Sequence, residues 1–110
     1  MKVRLITKNT IFSYVRFNRA SETSFENWLD KLKVADWNIP SDIVSHYISA
    51  DLLGGGSNRV VFNIKGNHYR MICQYDFTKN LVHLYVCWIG THAEYDRICS
   101  LNLQYTISDY

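Results

Sequence analysis

Polar and apolar positions alternate with a period of two at the start of the chain, where Lys2 and Arg4 flank Val3 and Leu5, so residues 2–6 predict a short strand. The period then changes. Ile11, Tyr14 and Val15, with Asn18 continuing the spacing, recur at helical intervals. Phe25, Trp28, Leu29 and Leu32 fall at i, i+3, i+4 and i+7 and predict an amphipathic helix over about residues 24–35, opened by Thr23-Ser24-Phe25-Glu26 in capping-box form. Proline disfavours helical geometry in the residue before it, so Asn38-Ile39-Pro40 ends that helix. Ser41 or Asp42 then stands ready to cap a short third helix running to Tyr47.

After the loop Gly54-Gly55-Gly56-Ser57 the period returns to two. Strands are predicted over residues 59–65, 68–76 and 81–89, with turns at Lys65-Gly66-Asn67 and Thr78-Lys79-Asn80, which makes an antiparallel meander. In its first strand Val60, Phe62 and Ile64 share one face and Arg59, Val61, Asn63 and Lys65 the other, so a buried side backs a cationic side aimed at solvent. Thr91 and Glu94 form a second capping pair, opening a short helix on which His92, Tyr95 and Asp96 share a face. Leu101, Leu103, Tyr105 and Ile107 alternate, and residues 99–110 read either as an additional edge strand or as a mobile tail. The expected architecture is α+β: N-terminal helices on one face of a twisted, mainly antiparallel sheet, with the other face and the short C-terminal helix forming a basic groove.

Composition narrows this picture. A chain of 110 residues is one domain, and 47% hydrophobic content with a single proline is that of a folded globular unit. No apolar run approaches the roughly 20 residues that span a bilayer, and the first ten residues lack the apolar stretch of a signal peptide, so a cytoplasmic protein is expected. Cys73, Cys87 and Cys99 are odd in number and carry no Cys-x-x-Cys spacing, which predicts reduced thiols. Neither they nor the four histidines have zinc-like spacing, so no metal and no cofactor are expected. A net charge of +2 says little by itself, but its distribution is uneven. Residues 1–21 hold Lys2, Arg4, Lys8, Arg16 and Arg19 without an acid, and residues 52–75 hold Arg59, Lys65 and Arg70 without an acid. Two such segments can converge on one polyanion-binding face.

The candidate chemistry follows from residue type. Arginine clamps phosphate with two parallel hydrogen bonds and lysine adds a compact charge, so Arg59, Lys65 and Arg70 suit a phosphodiester. His92, at a helix start, is the side chain best suited to move a proton near neutrality, and Tyr95 can orient a ribose or stack on an unpaired base. Each also has an ordinary structural reading as a surface charge, a helix-start residue or half-buried packing. His46 and His83 read as structural, His68 as a second titrating group or a surface residue, and Asn63 as a strand residue able to hydrogen-bond RNA.

Three blocks in order carry a family resemblance: ADWNIPSDI over residues 35–43, NRVVFNIKGNHYR over 58–70 and IGTHAEYD over 89–96. Together they resemble the HigB toxins, RelE-like messenger-RNA endonucleases of type II toxin-antitoxin modules. The resemblance implies a RelE/ParE-like fold and metal-independent cleavage of mRNA on the ribosome, restrained by a HigA-type helix-turn-helix antitoxin. It favours Lys65, Arg70, His92 and Tyr95 as catalytic residues and Arg59, Asn63 and His68 as RNA-binding residues. His68 departs from the family pattern, which carries lysine there. A rival reading keeps the surface without the chemistry: a ribosome or nucleic-acid binding module, or a ParE-like toxin directed at gyrase.

Overall fold

The computed structural model describes residues 1–109. Its elements in chain order are β1 (Val3–Leu5), α1 (Lys8–Phe17), α2 (Glu22–Leu32), α3 (Pro40–His46), β2 (Asp51–Leu52), β3 (Arg59–Ile64), β4 (Tyr69–Phe77), β5 (Val82–Thr91) and α4 (His92–Ser100). The five strands form one sheet in the order β1-β5-β4-β3-β2. The meander of β3, β4 and β5 is antiparallel as its turns predict, β2 adds antiparallel to β3, and β1 pairs parallel with β5.

Periodicity locates most elements, and the departures have local causes. A 3-10 turn over Arg19–Ser21 feeds directly into α2, so Thr23 and Ser24 lie inside that helix and form no capping box. Pro40 opens α3 instead of merely ending what precedes it, since its missing N–H costs nothing at a first helical position. Asp42, one turn in, accepts hydrogen bonds from the amides of Asn38 (2.8 Å) and Ile39 (3.2 Å), and these bonds hold its carboxyl below the usual range. The two-residue strand β2 is too short to leave a periodic signal.

The predicted inner face of the sheet packs on α1, α2 and α3. Trp28 stacks on Tyr47 with centroids 5.6 Å apart, and Phe62 from β3 meets both rings edge-on, while Trp37 and Ile43 are fully enclosed. Burial of each such side chain stabilises the fold by about 1.5–3 kcal/mol. His46 accepts a hydrogen bond from the Trp37 indole, and burial, then the charge of Lys31, lowers its pKa. That histidine is structural, as its position suggests.

The opposite face is not the open groove that alternation predicts. Val61, Ile72, Cys87 and Trp88 are buried there beneath Leu53, Tyr95, Ile98 and Ile107, so α4 and the chain after it cover the sheet. A β-bulge contributes: register steps from Ile72↔Trp88 to Cys73↔Val86, which leaves Cys87 unmatched and turns both Cys87 and Trp88 to the same side. Residues 101–109 are neither a strand nor a free end. They run as an irregular strap across this face, from Arg59 on β3 to the edge of β5, where the Asp109 amide donates to the Cys87 carbonyl at 2.7 Å. The expectation of an additional edge strand is therefore corrected.

Candidate nucleic-acid interface

The register of the meander sets the site. Tyr69 pairs with Thr91 and Arg70 with Gly90, and one residue further the His92 amide donates to the His68 carbonyl at 3.0 Å. This bond joins the first turn of α4 to the turn between β3 and β4. Thr91 and Glu94 form the predicted capping box, through Thr91 N–H to the Glu94 carboxylate (2.8 Å) and Glu94 N–H to Thr91 Oγ1 (3.2 Å). With the His92 and Glu94 amides so engaged, the helix start is a fixed platform for His92, not an open anion cradle.

His92 is half exposed, and its Nε2 lies 3.5 Å from an Asp96 carboxylate oxygen, an ion-pair distance when the ring is protonated. Asp96, expected from the sequence only to share a helix face with His92, thus belongs to the site. The i, i+4 spacing of the two residues is the signal that reveals it. His68 is exposed beside them on the turn. Arg70 is buried beneath that turn: Nη1 donates to the Tyr69 carbonyl at 3.1 Å and more weakly to Gly66, and Nη2 reaches Asn67 Oδ1 at 3.4 Å. Arg70 lies on the sheet face of Ile72 and Trp88. Tyr95 leans on Trp88 with centroids 6.2 Å apart. Burial first, then the hydrogen bond to Cys99, pushes its phenol far above the ordinary tyrosine range, against the opposing pull of Arg70. A phenol held in that state donates hydrogen bonds and serves no base role.

Lys65 is directed elsewhere. Its residue has a positive φ of 53° in the turn, and Nζ reaches the Ala20 carbonyl at 3.4 Å in the helical layer. That contact does bring the two acid-free segments of the chain to one end of the molecule, beside Arg19, although Arg19 itself pairs with Glu22 at 2.9 Å. Asn63 sits directly across from Arg70 in the β3–β4 ladder and lines, with Lys65, Lys31 and Tyr47, a shallow groove of about 390 Å3. His68, Arg70, His92 and Tyr95 therefore gather around the α4 start, and Asn63 and Lys65 lie on the adjoining edge. A further groove, of about 480 Å3, lies away from this cluster, between β1, α1 and α2.

Arg59 does not face solvent as predicted. It is 5% exposed, with Nη1 donating to the carbonyls of Ile107 (2.7 Å) and Gln104 (3.3 Å) in the strap. Sequence separation explains the miss, because no local pattern foretells a partner 45 to 48 residues away. Among the described residues no group of three or more His, Cys, Asp or Glu side chains is arranged to hold a metal ion, and no helix is long and apolar enough to cross a membrane. Cys73 and Cys87 are buried and unpaired, Cys99 is half-buried, and burial raises the first two thiols.

No curated protein matches the chain. A family model does, described as HigB_toxin, RelE-like toxic component of a toxin-antitoxin system, and it matches residues 21–98. That span takes in α2 through most of α4, with Arg59, Asn63, Lys65, His68, Arg70, His92, Tyr95 and Asp96. By the α+β fold it adopts and the family model it matches over most of its length, this chain belongs to the HigB toxins, the RelE-like toxic components of toxin-antitoxin systems, whose partner is an antitoxin.

Proposed function

We propose that the protein is a ribosome-dependent, metal-independent mRNA endoribonuclease that inhibits translation and is neutralised by a HigA-type helix-turn-helix antitoxin. The observation that supports this reading is the His92–His68 backbone bond, which joins the two histidine-bearing segments next to the Arg70–Gly90 pair of the β4–β5 ladder. Cleavage of a phosphodiester by its own 2′-hydroxyl needs a proton removed from that hydroxyl, charge held on the phosphate, and a proton given to the departing 5′-oxygen. His92, steadied by Asp96, serves as general base or acid. Arg70 holds the negative charge that builds on the phosphate oxygens and Tyr95 donates to the nucleotide, while Lys65 adds its charge only on release from the Ala20 carbonyl to which its Nζ turns. Asn63 and His68 contact the RNA backbone and bases at the flanks. Atoms balance without a cofactor: the P–O5′ bond breaks as the 2′-oxygen bonds phosphorus, leaving a 2′,3′-cyclic phosphate and a 5′-hydroxyl.

The test is cleavage of a translated message on purified ribosomes with a chelator present. The proposal expects cutting that persists in chelator and falls about 100-fold or more in His92→Ala, within the range general acid–base groups supply. Full cleavage in both His92→Ala and Lys65→Ala overturns these assignments. Growth arrest with intact RNA supports a gyrase-directed or purely binding toxin instead.

A further inference from the structure

Arg59 is a buried cation with no counter-ion among the described residues. Among the described residues no carboxylate lies within ion-pair distance, and its guanidinium meets only the neutral carbonyl oxygens of Gln104 and Ile107. Its Nε is buried with no hydrogen-bond partner, and so is Oε1 of Gln104 in the segment lying on it. A charge withdrawn from water onto so few acceptors is costly relative to a well-paired one. The covering strap is held mainly by polar contacts: Leu101, Leu103 and Tyr105 are exposed, and of its apolar side chains Ile107 is the one grouped with the buried cluster of Val61, Ile72, Cys87 and Trp88. A mismatched polar contact under a segment that buries little apolar surface is suited to exchange.

We propose that Arg59 is a covered phosphate contact: the two strap carbonyls stand where phosphodiester oxygens would bind, and single-stranded RNA displaces residues 104–109 to reach it. This rests on the RNA reading above and extends it along the sheet. Arg59, Asn63 and Arg70 share one face, with Val61 between Arg59 and Asn63, so a strand leaving the α4 start along β3 would pass over Arg59 once the strap lifts. The displaced segment lies outside the span the family model matches, so the cover is a feature of this chain's C-terminal region.

The experiment uses a fluorescent single-stranded RNA, 2′-O-methylated so that it cannot be cut, titrated by anisotropy at several salt concentrations. Loosening the strap with Ile107→Ala, or removing residues 104–110, is expected to tighten binding by about tenfold. The added contact should steepen the dependence of log K on log salt by about 0.7, the increment for one neutralised phosphate on a single strand. Adding Arg59→Gln to either variant should erase both gains. In the unaltered chain, saturating RNA should speed hydrogen exchange at the Asp109 amide, which is bonded to Cys87 only while the strap is closed. Unchanged exchange together with unchanged affinity in the loosened variants overturns the proposal while leaving the cleavage site intact, provided the unaltered chain still binds in a way that Arg70→Ala weakens. Absence of RNA binding by every form overturns both.

Discussion

Arg70 is fixed by the Tyr69 carbonyl and by Asn67, and like Arg59 it lacks an acidic partner among the described residues. A guanidinium held only by neutral oxygens keeps its charge undiminished for a phosphate, and its planar fork is what a compact ammonium cannot reproduce. Arg70→Lys should therefore behave as a loss, lowering single-turnover cleavage at least tenfold. A matching fall in the Tm would instead assign Arg70 to bracing the turn. At this scale the sequence shows which side chains bear charge, and its helical spacing brings His92 and Asp96 together on α4, whereas Tyr95 turns inward to Trp88. The sequence does not show that Lys65 reaches back to Ala20 or that the strap takes Arg59, because both contacts are made across more than forty residues.

The capping box at Thr91–Glu94 is where an element's stability and the site's geometry meet. It fixes the start of α4, and that start carries His92 against His68. Thr91→Ala should cost about 1 kcal/mol of folding stability. Because the cap sets the direction of His92, cleavage should fall further than the small unfolded fraction explains, and equal activity per folded molecule would separate cap from site. Gly90, just before the cap, has no room for a side chain: a Cβ there would lie 2.3 Å from the Trp88 ring. Gly90→Ala should accordingly displace Trp88 and lower the Tm, with the loss visible as altered tryptophan fluorescence. Both motifs were legible as a strand running into a capped helix. The bulge at Cys87, which sends two consecutive side chains to one face, was not, because alternation alone carries no mark of an inserted residue.

On the scale of the whole molecule, the sheet is covered on both sides, by α1–α3 on one and by α4 with the strap on the other. The first layer was legible from helical periodicity; the second was hidden because β3 alternates as a half-exposed strand does. Burial leaves a pH signature. Tyr14 is pushed up to about 12, mainly by burial and then by the Glu94 charge, and burial also raises Tyr47, Tyr75 and Tyr95. Folded-state values above the unfolded one give stability that is complete below about pH 10, the ordinary tyrosine value, and lost as pH climbs through the folded values. His46 has the opposite sign: its lowered pKa favours the fold above about pH 6.5 and ceases to do so on acidification. The Tm should thus form a plateau between these limits, and His46→Gln should flatten its acid limb. The most direct test of the central claim is the chemistry of the cut ends from a ribosome-bound message incubated in chelator. A 5′-hydroxyl and a 2′,3′-cyclic or 3′-phosphate, absent when the scissile nucleotide lacks its 2′-hydroxyl, is the predicted result. A 5′-phosphate, or cutting that survives the missing hydroxyl, would contradict it.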